Sequence, residues 1–129
     1  MIALTPEEIA QFRARLADYP EALAALQEIE DCDGDIEDAA ISLSLKANQE
    51  PDTNEEWLAG FSKRYRHIVC RAEFREAIAA GQLSTLIHAL TTETDCPPLI
   101  ALPVALYAHK AEVATFCYSF DHSRVVSNS

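Results

Sequence analysis

The stretch Glu28-Ile29-Glu30-Asp31-Cys32-Asp33-Gly34-Asp35-Ile36-Glu37-Asp38-Ala39-Ala40-Ile41-Ser42-Leu43 carries the end of one helix and the start of the next. Gly34 frees the backbone for a tight turn, and Asp35 is a good N-cap for the second helix. Glu37 and Asp38 then fall in the positive first turn of that helix. Ile36, Ala39, Ala40, Leu43 and Ala47 recur at helical spacing and form its inner face.

The same grammar extends outward. Thr5-Pro6-Glu7-Glu8 is a capping box with proline at the first helical position. Ile9, Phe12, Leu16 and Tyr19 form one apolar stripe, and Pro20 ends that helix. A second helix starts at Pro20 and carries Leu23, Leu26 and Ile29. Beyond a polar connection at 48–54 that contains Pro51, Thr53-Asn54-Glu55-Glu56 is another capping box. Leu58, Phe61, Tyr65, Ile68, Val69 and Ala72 then share a face. Phe74 and Ile78 are out of phase with it, so a break is expected at 70–73, and Gly81 closes the next short helix. Leu83, Leu86, Ile87 and Leu90 belong to a helix over about 82–92.

The last helix, from Leu99 or Pro103 to Tyr118, is apolar nearly all round, as a central or subunit-contacting helix is. Alternating strand patterns are absent. The expectation is an all-α chain: an acidic three-helix module at 1–48, a helical bundle at 54–120 and a flexible tail at 121–129.

Among 129 residues, 21 are acidic and 10 basic, for a net charge of −11. Residues 1–56 hold 15 acids and 3 bases, whereas residues 57–129 hold 6 acids and 7 bases. With 49% apolar residues the chain can build a core. The acidic total argues against a general nucleic-acid binder, which needs surplus Lys and Arg to neutralise phosphates. No leader or spanning segment is read at the N-terminus or in the apolar stretch from Pro97 to Phe120, so a cytoplasmic protein is expected.

Cys32, Cys70, Cys96 and Cys117 show no C-x-x-C spacing, and His67, His88, His109 and His122 no H-x-x-x-H pair. No metal or other cofactor is therefore expected, and the cysteines read as free thiols. Asp31, Asp33 and Asp35 match the first acidic positions of an EF-hand loop. Gly34 falls at position 4 instead of 6, however, and Ser42 stands where the bidentate Glu belongs. No nucleophile motif is present, and Ser42-Leu43-Ser44-Leu45-Lys46 is S-x-S-x-K. Carboxylates around Cys32 would blunt its reactivity. The chain is read as non-enzymatic.

Residues 28–43 resemble the loop-and-helix signature of ubiquitin-associated (UBA) modules, A-L-x-x-x-x-G-D-[VI]-x-x-A-x-x-x-L, through Ile29, Gly34, Asp35, Ile36, Ala39 and Leu43. The resemblance implies a three-helix UBA-like fold over 5–47. Ala17-Asp18-Tyr19 replaces the family's M-G-F loop, which supplies much of the ubiquitin contact, so the fold is implied without that partner.

Two surfaces remain as candidates. Glu30, Asp31, Asp33, Glu37 and Asp38 form an acidic surface suited to a protein partner with a basic face. Arg64, Arg66 and Arg71 lie in a basic run with His67. That run is expected to pair with the acidic half, within a chain or between copies, and is otherwise an anion or nucleic-acid contact. A homo-oligomer built on the last helix is the third possibility.

Overall fold

Capping chemistry sets the first boundaries. In the computed structural model, which describes residues 2–47 and 57–127 with side chains through His122, the Thr5 hydroxyl accepts from the Glu8 amide at 3.2 Å. The Glu8 carboxylate accepts from the Thr5 amide at 3.0 Å, completing the box at the head of α1 (Pro6–Arg15). Expected to reach Tyr19, α1 instead stops at Leu16. Tyr19 precedes Pro20 and is held extended (φ −119°, ψ 91°), so the chain turns before it.

Next come α2 (Pro20–Asp31) and α3 (Ile36–Lys46). The buried face of α2 is Ala22, Ala25, Leu26 and Ile29, with Leu23 only partly covered. Asp35 caps α3 as expected, accepting from the Glu37 and Asp38 amides at 3.0 and 3.2 Å.

The second half is cut into shorter pieces: α4 (Trp57–Lys63), α5 (Arg66–Val69), α6 (Ala72–Ala79), α7 (Ser84–Glu93), α8 (Pro98–Lys110), α9 (Val113–Phe116) and α10 (Tyr118–Ser127). The expected break lies at Arg71, which is extended (φ −62°, ψ 139°). A second, unexpected one lies at Arg64-Tyr65, where the hydrogen bonds tighten to Arg64 N–H→Phe61 O and Tyr65 N–H→Ser62 O. Gly81 (φ +76°) ends α6 in a Schellman motif, with Gln82 N–H bonded to Ala77 O at 2.9 Å. All ten helices lie among the described residues, which contain no strand; Ala3 and Asp35 form one isolated antiparallel bridge. The connection at 48–54 and the capping box at 53–56 lie outside the described residues.

Buried residues of both halves form one hydrophobic core. Ile100, Ala101, Leu102, Val104, Ala105 and Leu106 of α8 are fully buried, and α2, α3, α4 and α7 all pack on this helix. An all-round apolar helix has to be enclosed, and helices from both halves enclose this one. Its apolar surface, the reason for expecting a second copy there, is covered by the chain's own helices. The last helix also ends sooner than expected. After Lys110 the backbone turns through Glu112 (φ +66°), and α9 and α10 follow as separate helices. Helical backbone continues to Ser127. No helix among the described residues is long and apolar enough to cross a membrane.

Candidate functional site

Two successive left-handed residues shape the acidic turn. The Asp33 and Gly34 amides donate to Glu30 O and Ile29 O at 3.0 and 2.8 Å, a Schellman closure of α2. Asp33 takes the left-handed position (φ 57°), normally a glycine's, and Gly34 follows at φ +88°. The N-terminal segment then clamps the turn. Leu4 N–H donates to Gly34 O at 2.9 Å and Ile36 N–H to Ile2 O at 3.2 Å. A Cβ on Gly34 would stand 2.2 Å from the Leu4 carbonyl oxygen, so only glycine fits.

This rigid turn divides the five expected acidic residues. Glu30 faces inward along the surface: both its carboxylate oxygens accept from the Arg13 guanidinium at 3.1 Å. Arg13 holds its carboxyl below the usual carboxylate range. Asp31 accepts from Gln27 Nε2 at 3.0 Å. Asp31, Asp33 and Asp38 are exposed, and among the described residues none forms an ion pair. Glu37 is half-buried and has interactions of its own. Behind the turn, Glu28 accepts from the Ser42 hydroxyl and pairs with Lys46 at 3.4 Å, which lowers its pKa; the Ser42 bond is the larger cause.

Cys32 sits half-buried in the same turn. Burial first, and the carboxylates of Glu28, Asp38, Asp35 and Asp31 second, push its thiol up and keep it protonated. No three His, Cys, Asp or Glu residues converge as a metal group among the described residues.

The basic run does not form a stripe, because the helix expected to carry it is broken twice. Arg64, in the α4–α5 turn, lies over the Phe61 ring at 5.1 Å. Arg66 donates from Nε to Phe116 O at 3.2 Å and stacks on that ring. Arg71 pairs with Glu93 at 3.1 Å and Glu73 at 3.8 Å. Neighbouring Arg75 makes a bidentate pair with Asp121, at 2.8 and 3.0 Å, and donates to Cys70 O. Among the described residues none of these arginines meets the acidic turn, and the ion pairs of the run are made to Glu73, Glu93 and Asp121. The described cross-half pair is Lys110 to Glu8, at 2.5 Å.

The largest correction concerns the cysteines. Cys70 and Cys117 form a disulfide across 47 residues, leaving Cys32 and Cys96 as free thiols. No spacing rule pairs two residues so far apart; each closes a one-turn helix, and those helices are themselves tertiary products. Cys96 is buried beside Asp95, and burial pushes its thiol up to about 12. Asp95 in turn accepts from the Tyr65 hydroxyl at 3.1 Å. His109, on α8, contacts Ile78 O through Nδ1 at 2.7 Å, tying α8 to the end of α6.

Comparison with known families, with curated proteins and with solved structures finds no match to this chain.

Proposed function

We propose that the chain is a small cytoplasmic, non-enzymatic adaptor whose acidic α2–α3 turn docks a protein partner with a basic face, and that residues 5–47 are a UBA-like module put to that use. One observation carries the reading. Asp31, Asp33 and Asp38 are exposed, without an ion-pair partner among the described residues, on a turn whose backbone is locked by the Leu4–Gly34 and Ile2–Ile36 hydrogen bonds. Carboxylates held rigid in the free protein lose little conformational freedom on binding, which favours recognition.

The UBA-like part is supported by the left-handed Gly34, the Asp35 cap and the buried Ile36, Ala39 and Leu43.

The test is binding of a defined lysine-rich helical peptide to the native chain and to the Asp31→Asn, Asp33→Asn, Asp38→Asn triple variant. At about 0.5 kcal/mol per surface charge contact, the triple change weakens binding on the order of tenfold. That difference should vanish at high salt. Equal affinities at low salt, together with identical protein partners recovered by the native and charge-reversed chains, would remove the acidic surface as the docking site.

A further inference from the structure

The starts of α2 and α8 meet the middle of α7 around an open cleft of about 180 Å³. Its floor is apolar: Ala22 of α2 and Ile87 of α7 are buried beneath it. Its rim is within reach of solvent, because Glu21, His88 and Pro98 are exposed and Tyr19 is half-buried. The side chains of Tyr19, Glu21 and His88 make no hydrogen bond or ion pair among the described residues. Two other clefts are lined by arginines already engaged. Arg71 and Arg75 pair with Glu93 and Asp121, and Arg15 donates to the Gly81 carbonyl.

The lining sets the chemistry of an occupant. A cavity of about 150 Å³ holds a molecule the size of benzene, so this cleft takes one aromatic ring with a short chain. Neither Lys nor Arg lines it and Glu21 carries its formal charge, so the complementary ligand is a cation. A primary ammonium offers three donors. The Glu21 carboxylate, the Tyr19 phenol oxygen and a ring nitrogen of neutral His88 are three acceptors on the one rim. Pro20 and Pro98 open α2 and α8 with fixed φ, so the backbone of the rim is set before a ligand arrives.

We propose that this cleft binds a small arylalkyl amine, its ammonium held by Glu21 with Tyr19 and His88 and its ring laid on Ala22, Ile87 and Pro98. The site lies between α2 of the first half and α7 and α8 of the second, away from the acidic α2–α3 turn.

The experiment is titration calorimetry of phenethylamine into the native full chain at about pH 8, where an ordinary imidazole is neutral. The anion 3-phenylpropionate and the neutral 2-phenylethanol are the controls. The expected result is saturable binding of the amine with a Kd on the order of 1 mM or below. Neither control should bind within about tenfold of it. Glu21→Gln should weaken the amine about tenfold, and Tyr19→Phe and His88→Ala each by roughly threefold. Independently of any variant, amide shifts on the native chain should be confined to residues 19–23, 87–91 and 99–101. The Asp31→Asn, Asp33→Asn, Asp38→Asn triple variant should bind the amine as the native chain does, which separates this site from the docking turn. Equal binding of a control, an affinity unchanged in Glu21→Gln, shifts centred elsewhere, loss in the triple variant, or no saturation by about 10 mM amine would each overturn the proposal.

Discussion

The two halves of this chain are held by different kinds of bond. Residues 2–47 are three helices of 10, 12 and 11 residues, with side-chain caps at the starts of α1 and α3 and a two-residue left-handed closure at the end of α2. Residues 57–127 hold seven helices, two of them only four residues long. A four-residue helix has no independent stability, because nucleation costs more than one turn returns. The second half is fastened instead across distance: the Cys70–Cys117 disulfide, Arg66 on the Phe116 carbonyl, and Arg75 on both the Cys70 carbonyl and Asp121. Local closure makes a sequence readable; distant closure does not.

Four measurements break or sharpen that contrast. Replacing Cys70 and Cys117 by serine removes a closure of 47 residues, worth about 4 kcal/mol on the chain-entropy account. Thermal melting should fall by roughly 10 °C or more; a fall of only a degree or two would show that the second half needs no staple. Leu102→Ala in α8 removes a fully buried side chain from the core shared by both halves, at a cost of about 3 kcal/mol. Chemical unfolding should stay a single transition for probes in either half; two transitions would show that residues 1–48 and 54–120 unfold as separate units.

Gly34→Ala acts on the first half. It sets a Cβ against the Leu4 carbonyl oxygen in a left-handed backbone and should cost about 2 kcal/mol in urea unfolding. Asp33→Gly, one residue earlier, should stabilise by about 0.5 kcal/mol, since its backbone is left-handed without that clash. Opposite signs at adjacent positions would confirm the two-residue turn.

The smallest effect is one of pH. The Lys110 ammonium beside Glu8, with the Thr5 bonds, holds its carboxyl below the ordinary 4.5. A depressed folded-state pKa contributes stability that is present above the unfolded value and lost as pH falls through the folded one. Stability of the native chain should therefore fall below about pH 4.5, and Glu8→Gln should flatten that fall. An unchanged slope in the variant would remove the Glu8–Lys110 link between the halves.

Much of the first half was legible because its determinants are near neighbours. Thr5 with Glu8, Asp35 with Glu37 and Asp38, and Pro20 at the start of α2 each act over three residues or fewer. Even there, the left-handed Asp33 was hidden, because the sequence offers Gly34 as the obvious turn residue and the closure uses the position before it. The acidic surface was legible as composition, but its division was not. Glu30 is tied to Arg13 on a neighbouring helix, whereas Asp31, Asp33 and Asp38 remain outward. The helix expected to carry Arg64, His67 and Arg71 on one stripe is broken at Tyr65 as well as near Arg71, and the sequence signalled only the second break. The Tyr65 ring is buried and its hydroxyl is bonded to Asp95, thirty residues on.

By itself the sequence determined an all-helical chain, the caps of α1 and α3, the glycine closure at Gly81 and the concentration of negative charge in the first half. Each arises from backbone sterics or from charges a few residues apart. Tertiary structure alone decided that α8 is enclosed by helices of both halves, that Arg66, Arg71 and Arg75 meet carbonyls and carboxylates of the second half, and that two of four thiols are joined. These depend on which distant segments pack together, and burial acts on surfaces that no short stretch of sequence contains.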